Sequence, residues 1–122
     1  MKRIIFVLLL SVISTTAWAT DVFTAQFVEN TWQSYQRSQM NVGYAGDTMY
    51  EGYYMGIVCG VARTGDGSMW QLPVGTTNSQ LFAIVGRFLD AHPELWSESD
   101  VGVISLALYK AFGKIPVKRQ GY

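Results

Sequence analysis

The sequence predicts an all-α protein, a compact bundle of about four helices that follows a cleaved signal peptide. Four separate segments carry apolar residues at helical spacing. The stretches between them are rich in Gly, Pro, Ser and Asn, which end helices and form turns. Of the 122 residues, 49% are hydrophobic. This fraction is enough to form one buried core, and a chain of this length typically forms one domain.

Residues 1–19 have the features of a signal peptide. Basic residues at the start precede the unbroken apolar run of residues 4–10, and Ala17 and Ala19 stand where a signal peptidase reads small side chains. The run is shorter than the roughly 20 residues that cross a bilayer, although a membrane anchor is the alternative. We expect cleavage after Ala19, a single helical domain over residues 20–122 with no membrane segment, and a periplasmic location in a Gram-negative host.

The first helix of the domain is predicted over residues 22–35. Apolar or small side chains recur there every four residues, and two more widen the stripe: Phe23, Phe27, Thr31 and Tyr35, with Val28 and Trp32. This spacing is typical of an amphipathic helix with one buried face. Residues 38–46 break the pattern and are predicted to form a loop.

The second helix is predicted over residues 47–63, with a buried strand as the alternative. Gly52, Gly56 and Gly60 are spaced so that they share one helix face. Each costs about 1 kcal/mol of helix stability relative to Ala. We therefore expect another backbone to approach closely along this face, and we expect Cys59, which has apolar neighbours, to be buried.

Residues 63–75 are predicted to form a long loop, which Pro73 and Gly75 close. The third helix then starts with a capping box, in which Thr77 and Gln80 exchange hydrogen bonds. Its apolar face comprises Leu81, Ile84, Val85, Phe88 and Leu89.

The third helix should end by His92, because Pro93 disfavours helical geometry in the residue before it. A last helix should begin near Ser97 or Ser99 and stop at Gly113. Its predicted buried side comprises Val101, Ile104, Leu108 and Phe112.

The composition argues against several classes of protein. Nine Lys and Arg residues balance nine Asp and Glu residues, so no nucleic-acid partner is indicated. One Cys and one His cannot build a closed metal site of such ligands or an intrachain disulfide. Cys59 and His92 are not spaced as a nucleophile and its base. We predict a protein that is not an enzyme and that uses no cofactor or metal.

Four stretches of the chain, in their order and spacing, resemble the type VI secretion immunity proteins of the Rap/Tai group. They are residues 56–62, residues 72–77 with Gln80 and Leu81, residues 88–95, and Ala107–Leu108 with Ala111–Phe112. The resemblance implies a helical periplasmic protein, usually a homodimer, that binds and inhibits a peptidoglycan amidase effector. A small periplasmic chaperone of the acid-stress kind, or another protein-binding module, is the alternative.

The chain departs from that family at a cysteine. The second Cys that usually precedes the Pro-x-Gly stretch, and can bridge to the position of Cys59, is Gln71 here. Such a bridge contributes roughly 2–4 kcal/mol, so packing or dimerisation must offset its absence.

An inhibitor needs a protruding element that fills a cleft, and the loop of residues 64–71 is the candidate. Tyr and Trp are enriched where proteins bind proteins, but they also fill cores. The alternative is that Trp70 folds back as a lid on the core. The predicted partner-binding residues are Asp66, Ser68, Met69, Trp70 and Gln71 of the loop, with Tyr50 and Tyr54.

Overall fold

The computed structural model describes residues 24–113, and these residues form four α-helices. The helices are α1 (Ala25–Gln39), α2 (Asp47–Gly65), α3 (Asn78–Ala91) and α4 (Asp100–Phe112), with a 3-10 turn at Pro93–Leu95 before α4. The all-α prediction is confirmed, and the buried-strand alternative for α2 is excluded. The predicted signal peptide lies outside the described residues. None of the described helices is both long and apolar enough to cross a bilayer.

Helix α1 is shifted toward the C-terminus relative to the prediction. It begins at Ala25, after Thr24, which is extended, and residues 22 and 23 of the predicted helix lie outside the described residues. The first backbone N–H groups of the helix donate to Glu98 and Trp96 carbonyls of the segment before α4, at 2.9 Å each. The helix also continues through Ser38, because the Ser38 hydroxyl donates to Glu51 of α2 at 2.6 Å. Contacts with other elements therefore set both ends of α1.

Tyr54 of α2 lies at the centre of the core. Its side chain is completely buried, and its hydroxyl donates to the Phe82 carbonyl oxygen of α3 at 2.5 Å. The Tyr54 ring also contacts Trp32 and Tyr35 of α1, with ring centroids 5.3 Å and 5.6 Å away. One side chain thus connects three helices through ring packing and a satisfied hydroxyl.

The glycine face of α2 points away from the rest of the described chain. No atom lies within 4 Å of the position that a Cβ would take at Gly52, Gly56 or Gly60. The prediction that another backbone comes close to this face is therefore wrong within residues 24–113. The prediction failed because spacing places the glycines on one face but does not say which face is buried. Cys59, beside them, is half-buried where full burial was expected.

The close approaches occur at two other glycines. A Cβ at Gly86 of α3 would lie 2.2 Å from the indole of Trp32, and a Cβ at Gly65 would lie 2.2 Å from the indole of Trp70. Real Cβ atoms do not come this close to other heavy atoms. Each glycine therefore provides the space that lets a tryptophan lie flat against a helix.

The ends of α3 and α4 follow the sequence signals. The Thr77 hydroxyl accepts from the Gln80 N–H and the Gln80 side chain accepts from the Thr77 N–H, which confirms the capping box. Ser99 caps α4 through the Gly102 N–H, and α4 stops before Gly113 as predicted.

The prediction of burial is wrong for one residue of α4. Val101 is 49% exposed, whereas Val103 and Ala107 take places in the core beside Ile104 and Leu108. The apolar residues of α4 surround more of the helix than one face can bury, so spacing alone did not identify the buried arc.

We expect Gly86→Ala to destabilise the protein by roughly 1–3 kcal/mol, because the added methyl group has to displace the Trp32 indole. Gly52→Ala is the matched control, since it makes the same change in another helix where the space is open. It should be neutral or stabilise the protein by up to about 1 kcal/mol. Urea unfolding of both variants measures the difference. Equal effects at the two positions would contradict the packing described here.

Candidate functional site

The candidate site is the loop of residues 66–77, which connects α2 to α3 and which we call the α2–α3 loop. It lies at the C-terminal end of α2, while the α1–α2 connection lies at the N-terminal end. The 19 residues of α2 separate the two by about 28 Å, at 1.5 Å per residue. Side chains at the two ends of α2 therefore belong to different surfaces.

Trp70 fixes the first half of the α2–α3 loop to the core. The side chain is 1% exposed, and its indole N–H donates to the Ala62 carbonyl at 2.9 Å. Around it the loop closes on itself, because the Gly67 N–H donates to the Trp70 carbonyl at 2.7 Å and the Met69 N–H donates to the Gly65 carbonyl at 2.8 Å. The structure therefore has the arrangement in which Trp70 folds back as a lid.

Two of the predicted partner-binding residues are thus core side chains. Trp70 covers the end of the core, and Tyr54 is enclosed at its centre. Burial is the first cause that raises the pKa of the Tyr54 hydroxyl well above its usual range. Neither residue offers a surface to a partner in this structure, so their placement in the predicted site is corrected. Aromatic side chains supply core and interface alike, which is why composition could not separate the two roles.

Asp66 and Gln71 hold the loop in place. The Asp66 carboxylate accepts from the Leu72 N–H at 3.0 Å, which ties the two halves of the loop together. The Gln71 N–H donates to the Phe112 carbonyl of α4 at 3.3 Å, and the Gln71 side chain is exposed. The loop backbone is therefore anchored to α2, to α4 and to itself.

The first exposed tip of the loop consists of Gly67, Ser68 and Met69. Gly67 has a φ of +83°, which favours glycine, and the Ser68 hydroxyl donates to the Gly65 carbonyl at 3.2 Å. Met69 is 51% exposed. Its side chain borders an apolar groove of about 420 Å³ between α2 and α4, which Ile57 and Val101 also line.

A second exposed tip follows, and sequence reasoning missed it. The Thr76 N–H donates to the Pro73 carbonyl at 3.1 Å, which closes a turn in which Gly75 has a φ of +88°. The structural roles predicted for Pro73 and Gly75 fit this turn. Val74, between them, is fully exposed at the apex. An apolar residue between Pro and Gly was the available signal, because such a residue has no helix or strand to bury it.

A groove of about 570 Å³ lies beside the second tip. It runs between the turn and α3, and its walls include Val74, Ile84 and Phe112 together with Arg87. The two tips, this groove and the Met69 groove give one end of the bundle a ridged surface. Such a surface can enter or receive part of another protein.

Tyr50 does not join this surface. It lies near the start of α2, where it is 40% exposed and contacts Phe27 edge-on at 6.2 Å between ring centroids. That end of the helix is fixed by Arg37 of α1, whose guanidinium donates two hydrogen bonds to Asp47, at 2.8 Å and 3.0 Å. Hydrogen bonding to Arg37 holds the pKa of the Asp47 carboxyl well below its usual range.

The single histidine has a structural partner. His92 lies 2.9 Å from a Glu94 carboxylate oxygen through Nδ1, and its ring packs on Phe88 with centroids 4.3 Å apart. This contact lowers the pKa of Glu94. Within residues 24–113, no group of three or more His, Cys, Asp and Glu side chains is placed to hold a metal ion.

We expect Trp70→Ala to lower stability by roughly 3–5 kcal/mol, because it removes a large buried side chain and leaves a cavity over Ala62 and Gly65. Met69→Ala, at the neighbouring exposed position, should change stability by no more than about 0.5 kcal/mol. Thermal unfolding followed by circular dichroism measures both. If Trp70→Ala melts like Met69→Ala, Trp70 is not the lid that fixes the loop.

Comparison with known proteins identifies a family for the chain. No curated protein and no solved structure matches the chain. The family model described as Rap1a immunity proteins matches residues 25–113, which span all four helices and both tips of the α2–α3 loop. The chain belongs to the Rap1a immunity protein family.

Proposed function

We propose that the protein is a periplasmic immunity protein that binds and inhibits a peptidoglycan amidase effector of type VI secretion. Membership of the Rap1a immunity family supports the inhibition of a secreted effector. The resemblance to the Rap/Tai group supports the amidase as the target. The basic, apolar and small-residue pattern of residues 1–19 supports export. On this proposal the effector is blocked by occupancy of its cleft, and no bond is made or broken by the inhibitor.

The observation that carries the proposal is the combination of an anchored backbone with exposed tips in the α2–α3 loop. Trp70 and Asp66 hold the backbone through hydrogen bonds, while Met69 and Val74 project outward. A loop that is ordered before binding loses little conformational entropy when it docks. Exposed apolar side chains on such a loop can fill pockets in an enzyme cleft, as binding hot spots do.

We further propose that the protein forms a homodimer through the outer surface of α2 and α4. Residues 52–62 of α2 and 101–109 of α4 contain no charged side chain. The apolar side chains of Met55, Val101 and Leu106 are exposed in these two stretches. Exposed apolar surface without charges is typical of an interface between protein chains. Gly56 and Gly60, where the space in a single chain is open, permit a second copy of α2 to come close, which accounts for residues that otherwise weaken α2.

The dimer is tested with Gly56→Arg, which places a long charged side chain in the middle of this surface. Sedimentation equilibrium should give the mass of two chains for the mature protein and of one chain for the variant, and circular dichroism should show the same helical content in both. Ala91→Arg puts the same side chain at an exposed position of α3 and serves as the control. A mature protein that sediments as a single chain at high concentration would exclude the dimer.

Inhibition is tested with Val74→Asp in the mature chain that begins at Thr20. The negative charge at the apex should weaken binding to the amidase by about 2 kcal/mol or more, near 30-fold in Kd, because an apolar contact is replaced by a desolvated carboxylate. The melting temperature should not change, because Val74 makes no core contact. Calorimetric titration with the amidase measures the binding, and an assay of peptidoglycan cleavage measures the inhibition.

Val42→Asp is the matched control for this experiment. It makes the same substitution at a residue that is 59% exposed, in the connection at the other end of α2. It should leave inhibition intact. If both variants inhibit as well as the parent protein, the α2–α3 loop is not the inhibitory element. If the parent protein fails to inhibit and instead keeps unfolded proteins soluble in acid, the chaperone alternative is favoured.

A further inference from the structure

A buried carboxyl group in α1 lacks the hydrogen bonds that burial normally requires. Glu29 is 2% exposed, and one of its oxygens, Oε1, accepts from the Gln33 side chain at 3.3 Å. The other oxygen, Oε2, is buried without a donor. An ionised carboxylate in that position has lost its water and gained too little in return.

The group that faces Glu29 from α3 is a second carboxyl. The indole N–H of Trp32, which lies one turn after Glu29 on α1, donates to Asp90 Oδ2 at 3.0 Å, so the two carboxyl groups meet at the same place. Besides burial, hydrogen bonding to Asp90 raises the pKa of Glu29. Gly86, one turn earlier in α3, leaves the space in which the Trp32 ring lies. The two carboxyl groups are therefore held together at the point where α1 is fastened to α3.

No cation balances this pair among the described residues. The ion pairs of residues 24–113 join Arg37 to Asp47 and His92 to Glu94, so neither involves Glu29 or Asp90. From α2, the titratable group that acts on the pair is the Tyr54 hydroxyl, which is neutral and donates to a carbonyl. Two negative charges placed side by side repel each other, so the pair favours a state in which one proton is kept between them.

We propose that Glu29 and Asp90 share one proton and act as a pH-sensitive clamp between α1 and α3. With the proton on Glu29 Oε2, the side chain donates to Asp90 and the unpaired oxygen has a partner. Asp90 is the more exposed of the two and already accepts from Trp32, so we place the proton on Glu29. Loss of the proton leaves two negative charges across the junction and weakens the contact of α1 with α3.

The direction in which pH changes the stability follows from the pKa of Glu29 in the folded chain compared with its pKa in the unfolded chain. Burial, and then the Asp90 carboxyl, raise the pKa of Glu29 from 4.5 to about 7. Between these values the unfolded chain has lost the proton and the folded chain keeps it. The contribution of Glu29 to stability is therefore fully present below about pH 4.5, falls as the pH rises, and is gone above about pH 7.

The clamp is tested by urea unfolding of the mature protein between about pH 5 and pH 8. For the parent protein, the folding equilibrium constant should fall across this window, by up to about tenfold per pH unit where the dependence is steepest. Glu29→Gln carries an amide that does not titrate and should remove most of that fall. Glu98→Gln, at an exposed carboxyl in the segment before α4, should retain it. Equal pH dependence in the parent and Glu29→Gln would overturn the proposal.

A direct titration covers the case in which Glu29→Gln does not fold. The carboxyl carbon of Glu29, observed by NMR in the parent protein, should titrate with a midpoint well above that of Glu98. Asp90→Asn keeps an oxygen acceptor for Trp32 and removes the like charge. It should move the Glu29 midpoint down toward the ordinary value but not fully to it, because the burial remains. A Glu29 midpoint equal to that of Glu98 in the parent protein would exclude a shared proton.

Discussion

The fold depends on a single buried side chain, Tyr54, which occupies the space between three helices. Its ring packs on α1 and α3, and its hydroxyl is satisfied by a main-chain carbonyl of α3. A polar group at the centre of a small core would otherwise be costly. Because Tyr54 fixes which face of α2 turns inward, it also fixes that the glycines turn outward. The site and the proposed dimer surface are both consequences of this orientation.

The features that could be predicted are those set by residues close together in the sequence. The Thr77 capping box, the Ser99 cap, the end of α3 before Pro93 and the end of α4 before Gly113 all depend on local hydrogen bonding and backbone geometry. The four helices themselves follow from apolar spacing. These features need no knowledge of what each helix packs against.

The features that could not be predicted are set by residues distant in sequence. The glycines of α2 and Gly86 of α3 look alike in the chain, but a tryptophan from another helix lies against Gly86 alone. Spacing likewise placed Val101 in the core, because it cannot say which arc of an apolar helix is covered. The Glu29 carboxyl had no signal at all, since its burial depends on Asp90, 61 positions further along the chain. In the candidate site, the sequence predicted a loop but did not show that Trp70 anchors the loop instead of forming its tip.

The missing disulfide takes on a physical meaning in this structure. Cys59 is half-buried on α2, and Gln71 stands where the resemblance to the Rap/Tai group implies a second cysteine. The connection that a disulfide would make between α2 and the following loop is made here by the Trp70 indole, through its bond to Ala62 and its contact with Gly65. Packing and one hydrogen bond therefore join α2 to the loop, and neither depends on the redox state of the surroundings.

The separation of anchor from tip in the α2–α3 loop has a consequence for evolution. Trp70 and Asp66 maintain the backbone, whereas Ser68, Met69 and Val74 contribute little to the core. Mutations at these three positions can therefore accumulate with little effect on folding, and each one changes the shape or polarity that the loop presents. On the proposed mode of inhibition, related chains with the same helices can in this way diverge toward different effectors, because selection on recognition acts on residues that selection on stability leaves free.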